Sequence, residues 1–197
     1  MAKLSRLNRR EQLLDTARDI VRELGTDALT LGTLAERAGV SRPVTYSHFE
    51  TRSGLFIALY KKISDYQLRD LEEAVRQTPA KLIDVAQVIA QAYIDCQITV
   101  APEAYTIAAA LKGDPEMEAF QRQIFTSHLE FCCKVLSPLS PLVDEVVRRR
   151  CIAILGSVEA ISQEVLYGDV DKNDAVEDLS SLISIWLGKT PCSKNVT

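Results

Sequence analysis

The stretch Leu31–Leu55, LGTLAERAGVSRPVTYSHFETRSGL, decides how the chain folds. Its apolar residues Leu31, Leu34, Ala35 and Ala38 recur at spacings of three and four, the period of one buried helix face. Thr30 precedes them, and a hydroxyl there accepts a hydrogen bond from an otherwise unpaired helix N–H. Gly39 follows the last periodic residue, a position where glycine commonly ends a helix. Val40 then points back inward. Ser41 is placed to cap a second helix, with Pro43 in its first turn, where a missing N–H costs little. Val44 and Phe49 are expected to anchor that helix on the core. Arg42, Thr45, Tyr46, Ser47 and His48 remain as outward or flanking groups. Two short helices joined by a tight turn form a helix-turn-helix, whose second helix enters a DNA major groove. An ordinary helical hairpin shares that spacing. The outward chemistry favours DNA: these groups are donors suited to phosphates and base edges, and Arg42 and Arg52 lie near helix N-termini that themselves favour anions.

The chain has 197 residues, of which 47% are hydrophobic, enough to bury a substantial core. Only 8 glycines and 7 prolines interrupt it, which favours helices over a turn-rich β fold. The net charge of -4 runs against nucleic-acid binding, but it is unevenly spread. Residues 1–62 hold 11 Lys/Arg against 7 Asp/Glu, a net of +4, and residues 63–197 hold 12 against 20, a net of -8. The basic part coincides with the helix-turn-helix, as an electrostatic DNA footprint requires. The five cysteines are odd in number and irregular in spacing, so they read as reduced cytoplasmic thiols rather than a disulfide framework. The apolar runs are too short and too interrupted by charge to cross a bilayer. The opening MAKLSRLNRR is basic without the apolar segment of a signal peptide.

Periodicity predicts an all-α fold of about nine helices. Residues 1–8 read as a basic arm carrying Lys3 and Arg6, with Arg9 following. A first helix runs from Arg9 to Leu24 and closes at Gly25. A fourth helix, capped by Thr51, runs to about Gln77 and stops at Thr78-Pro79. The remainder reads as helices over Ala80–Val100, Pro102–Leu111, Glu116–Leu136, Leu142–Tyr167 and Asp174–Leu187. In the penultimate one Val147, Cys151, Ile154, Val158, Ile161 and Val165 step by four and three, a seam suited to helix pairing. Leu179, Ile183 and Trp186 mark a face of the last.

The head of the chain resembles the TetR family of bacterial transcriptional regulators. The resemblance rests on Thr30, Leu34-Ala35, Ala38-Gly39-Val40-Ser41, Tyr46-Ser47-His48-Phe49, Arg52 and Leu55, and covers Arg9 to about Arg69. It implies a three-helix DNA-binding head over residues 9–69, with the helix-turn-helix at about 32–51, on a helical ligand-binding and dimerisation body over 70–190. It implies that Thr30, Thr33, Tyr46, His48 and Arg52 touch phosphates. Ser41, Arg42, Pro43, Val44, Thr45 and Ser47 would lie along the groove, with Arg42 on guanine and a Val44 or Thr45 methyl against thymine. The family order before the tyrosine is reversed here, which leaves open whether Val44 or Thr45 faces the groove. Gly54 replaces an acidic residue expected to support the fourth helix.

The implied function is a homodimeric repressor, released from a palindromic operator on double-stranded DNA by a small apolar or aromatic effector. Tyr93, Cys96, Tyr105, Phe120, Phe125 and Cys132 are the candidate effector walls. Val147, Cys151, Ile154, Val158, Ile161, Val165, Leu179, Ile183 and Trp186 are the candidate dimer interface. Each also reads as plain core. No phosphate loop, metal-ligand cluster or nucleophile motif points to an enzyme or a cofactor. His128 with Cys132 and Cys133 is too poorly aligned on one helix to suggest a metal site. A thiol-redox-responsive DNA-binding regulator is the first alternative, and a helical protein that binds a small molecule or acts as an enzyme without binding DNA is the second.

Overall fold

The computed structural model describes residues 5–99 and 101–188, leaving aside the side chains at 97, 99 and 101–105. Among the described residues there are nine α-helices and no strand. They are α1 (Arg6–Leu24), α2 (Leu31–Ala38), α3 (Arg42–Phe49), α4 (Arg52–Arg76), α5 (Leu82–Thr99), α6 (Ala101–Ala110), α7 (Pro115–Leu136), α8 (Asp144–Tyr167) and α9 (Lys172–Gly188). None of these is long and apolar enough to cross a membrane.

Two compact units emerge, and neither is one continuous stretch. The head contains α1 to α3, α4 as far as Tyr66, and the segment through α6 into α7 as far as Gln123. The body contains Gln67–Thr99 and the chain from Ile124 onward. A division between 69 and 70 follows chain order, whereas contact places α6 and the start of α7 with the head.

Within the head, α1 begins at Arg6, three residues earlier than expected, because Ser5 Oγ accepts the Asn8 N–H at 3.1 Å. That places Arg6 on the helix and not on an arm; Lys3 lies outside the described residues. Leu13, Leu14, Ala17, Ile20 and Val21 form the buried stripe, and Gly25 ends the helix at φ +82°. A single 3-10 turn, Thr26–Ala28, leads to α2. There Thr30 and Thr33 cap each other reciprocally: Thr30 Oγ1 accepts from Thr33 N, and Thr33 Oγ1 from Thr30 N, both at 3.0 Å. Gly39 closes α2 in the left-handed region at φ +64°. Ser41 holds the N-cap position of α3, but its side chain makes no capping bond, contrary to expectation.

The α3–α4 junction is tighter than the sequence suggests. Glu50 sits at φ +60° in a turn where Thr51 N donates to Phe49 O at 2.6 Å. A non-glycine residue held there stores strain. Thr51 Oγ1 then accepts the Gly54 N–H at 2.9 Å, so α4 is capped without an acidic partner. A Cβ at position 54 would stand 2.3 Å from Phe49 O. Glycine is therefore required by the backbone of the preceding helix.

The head core joins Leu13, Ile20, Leu34, Phe49, Phe56 and Leu59 to Ile107, Leu111 and Met117 from the later segment. Phe120 belongs here as well, its ring edge-on to Tyr60 at 5.7 Å. Ser53 Oγ donates to Asp114 Oδ2 at 2.8 Å, while Asp114 Oδ1 accepts from Glu116 N at 2.9 Å at the start of α7.

In the body, α5 packs against α8 and α9, and these two against each other. The seam on α8 is consumed there. Val147, Cys151, Ile154 and Val158 are buried in the chain's own core with Leu179 and Ile183, and Ile161 and Val165 pack against its edge. These residues are not a free dimer face. The seam's period marks burial, and α5 and α9 supply it. Trp186 differs, being 41% exposed.

Replacing Gly54 by alanine is expected to destabilise the protein by about 1–3 kcal/mol, since the side chain must displace a carbonyl already held by Thr51. Urea unfolding of wild type and variant measures this; an unchanged midpoint contradicts the tight junction.

Candidate nucleic-acid interface

The orientation of α3 follows from which of its residues are buried. Thr45 is fully buried, and Phe49, one turn later, is 4% exposed. The Thr45 hydroxyl lies 2.9 Å from Leu31 O and 2.8 Å from Arg42 O, so its single proton is held between two carbonyls. This corrects the expectation that Thr45 is available to a groove. Val44 is half-buried at the edge of the head core. With Thr45 inward, Arg42, Pro43, Tyr46 and Ser47 stand on the exposed side, Tyr46 at 53%. Ser47 Oγ donates back to Val44 O at 2.8 Å. Thr30 and Thr33 are exposed at the α2 N-terminus, their hydroxyls engaged in the reciprocal cap.

Arg42 reaches back along α2. Its Nη2 is 3.3 Å from Glu36 Oε1, and both side chains are more than two-thirds exposed. An exposed pair of this kind contributes little and yields readily to a stronger anion. Gly32 forms the floor beneath the guanidinium, with Cζ 3.7 Å from where a Cβ would stand.

Arg52 is employed differently from the expected phosphate contact. Its Nε donates to Leu29 O at 2.9 Å and its Nη2 to Thr26 O at 2.8 Å. The guanidinium also lies 4.8 Å over the Phe56 ring. It ties the start of α4 to the turn before α2.

Sequence reasoning missed Arg10 altogether. Its Nη1 donates to His48 O at 3.1 Å and its guanidinium sits 4.9 Å over the Phe49 ring. Its available signal was position: four residues after Arg6, on the same face of α1, with Arg6 Nη2 at 3.5 Å from Ser47 O. His48 is half-buried, and burial, followed by the charges of Arg6, Arg10 and Arg9, holds its imidazole below the usual histidine range.

Of the six candidate effector residues, the structure brings Tyr93 and Cys132 together. Tyr93 and Cys132 are buried in the body core, Cys96 is half-buried, and Phe125 is 40% exposed. Phe120 packs in the head, and the Tyr105 side chain lies outside the described residues. Tyr93 Oη is 3.0 Å from His128 Nδ1 and 3.8 Å from Cys132 Sγ, a polar cluster in an apolar surround. Burial pushes the Cys96 and Cys132 thiols up to about 12 and raises Cys151 as well. Thiols held protonated in this way are poor nucleophiles, which weighs against oxidation starting at them.

Residues 13–59 match the family model described as bacterial regulatory proteins, tetR family. The chain carries a TetR-family head. It is 36% identical over 76 residues to the HTH-type transcriptional activator FasR of Mycolicibacterium smegmatis, covering 39% of this chain and 35% of FasR. It is 39% identical over 62 residues to the HTH-type transcriptional regulator BetI of Klebsiella pneumoniae, covering 32% of this chain and 31% of BetI. The match therefore spans about a third of each curated relative. The fold extends further than the identity. A transcriptional regulator from Rhodococcus sp. Rha1 superposes with a TM-score of 0.71 at 19% identity, over 92% of this chain and 99% of that one. The TetR-type head and the all-helical architecture are thus established by independent comparisons.

Arg52→Ala is expected to lower stability by about 1–2 kcal/mol through lost hydrogen bonds to two carbonyls, while leaving the salt dependence of DNA binding unchanged. A reduced salt slope at intact stability identifies Arg52 as a phosphate contact instead. Arg42→Ala is expected to relax preference at one base pair by about 1–3 kcal/mol. Equal loss on every sequence assigns Arg42 to the backbone.

Proposed function

We propose that the protein is a homodimeric transcriptional repressor that grips a palindromic operator with α3 and its flanks. The observation that carries this reading is the sidedness of α3. Thr45 and Phe49 are buried, while Arg42, Pro43, Tyr46 and Ser47 stand together on the exposed side. Arg42 reads a base edge, with Pro43, Val44 and Ser47 beside it. Thr30, Thr33, Ser41, Tyr46 and His48 position the head on phosphates. The protein acts in the cytoplasm, where its operator is.

The dimer face is the outer side of α8 and α9. Ile152 is 45% exposed, Ile185 50% and Trp186 41%, and exposed large apolar groups on neighbouring helices mark an association surface. Two-fold symmetry then spaces two recognition helices about 34–36 Å apart, one turn of DNA. A small apolar or aromatic effector held by the body favours the arrangement whose heads are wrongly spaced, and a coupling of about 1–3 kcal/mol suffices. The chain crosses between head and body within α4, before α6 and within α7, so three covalent links carry that coupling.

Selection of bound sequences from random DNA by the purified protein tests this function, with a palindrome expected. Enrichment of no sequence defeats it. Ile152→Glu combined with Ile185→Glu is expected to yield folded monomers by light scattering, whereas Val158→Glu unfolds the body. A folded dimer in the double variant removes the proposed face. The similarity to FasR, named an activator, favours a second reading in which the bound dimer activates transcription. A reporter placed behind the selected operator separates the two by the direction of its change.

A further inference from the structure

The charges on α1 are sorted by direction. Glu11 and Asp15 turn toward α4, where Lys62 Nζ meets them at 2.9 and 2.6 Å. Arg6, Arg9 and Arg10 lie in its first two turns, where Arg6 and Arg10 reach the carbonyls of Ser47 and His48 in the last turn of α3. No carboxylate among the described residues pairs with any of the three. Arg10 is spent on the His48 carbonyl and the Phe49 ring. Arg6 makes one long bond to Ser47 O, at 3.5 Å, and Arg9 bonds only the neutral amide of Gln12, at 2.6 Å. The first turn of α1 holds no acidic residue. The chain holds 27 acids at a net charge of -4, yet none among the described residues pairs with these three arginines.

Cations beside the C-terminal end of α3 are partly explained by that helix's dipole and its unpaired carbonyls. Arg10 satisfies this need. It leaves no task for Arg9 and little for Arg6. Arg6 stands beside Ser47, on the part of α3 that the proposed function turns toward DNA, and Arg9 is near enough for its charge to act on His48 at the same helix end.

We propose that the first two turns of α1 form a second DNA-contacting element, in which Arg6 and Arg9 bind backbone phosphates flanking the groove occupied by α3. Arg10 is a positioning residue, locking α1 to the end of α3. The contact reads no sequence. It adds affinity and widens the footprint, and because it belongs to the same rigid head it adds no ordering cost of a free arm. This inference rests on the proposed function.

The test uses the full-length protein with Arg6 and Arg9 both replaced by alanine, and a second variant with both replaced by lysine. Binding to the selected operator and to a random duplex is measured across salt concentrations. Each lost phosphate contact is expected to reduce the slope of log affinity against log salt by about 0.9 per protomer. The alanine variant should therefore lose one to two contacts per head, weaken equally on both duplexes, and select the same sequence as wild type. The lysine variant should restore the slope. An unchanged slope overturns the inference, as does loss confined to the operator or a lowered melting temperature that lysine does not rescue. If wild type binds no duplex at all, the proposed function fails and this inference with it; if wild type binds and only the slope fails to change, the inference alone is lost.

Discussion

The burial of one hydroxyl sets the working surface of the head. Thr45 places its Oγ1 between the carbonyls of Leu31 and Arg42, with the side chain removed from solvent. A buried hydroxyl without such partners is costly, so rotating α3 about its axis would expose an apolar methyl, strand the hydroxyl, or both. Because Leu31 is the first residue of α2, the bond to its carbonyl ties α3 to the start of α2, while the bond to Arg42 stays within α3. Everything that α3 presents outward follows from that rotation.

The junction behind α3 is held with comparable strictness. The Phe49 carbonyl takes the Thr51 N–H, occupies the space beside Gly54, and leaves Glu50 in a strained conformation. Strain of about 1–3 kcal/mol persists only where surrounding structure over-determines it. Here that structure is a buried Phe49, the Thr51 cap and the Arg52 bonds to Leu29 and Thr26. The head is further enlarged by α6 and the start of α7, whose Ile107, Leu111 and Met117 enter its core. It is therefore a composite of two distant pieces of chain.

The body illustrates how far periodicity reaches. The four-three steps on α8 identify buried positions correctly, and Val147, Cys151, Ile154 and Val158 are all inside. Periodicity carries no information on whether the covering helix belongs to the same chain. Since α5 and α9 cover this seam, the large apolar groups that α8 and α9 leave exposed are others, Ile152, Ile185 and Trp186. Likewise Phe120 and Phe125 lie on one helix but belong to different units, because α7 passes from the head to the body between them.

By itself the sequence determined the helices, their caps at Thr30 and Thr51, the stops at Gly25 and Gly39, and the basic head bearing a TetR-type motif. These depend on local geometry: side-chain period, cap hydrogen bonds and left-handed glycines act within a few residues. Only the tertiary structure decided between Val44 and Thr45, gave Arg52 to backbone carbonyls, explained Gly54, brought Arg10 to the end of α3, and assigned the α8 seam to an intrachain core. Each of those depends on a partner distant in sequence or across a turn, and residue type alone does not name the partner. A threonine, an arginine or a valine is compatible with several surroundings, and its surroundings determine its role.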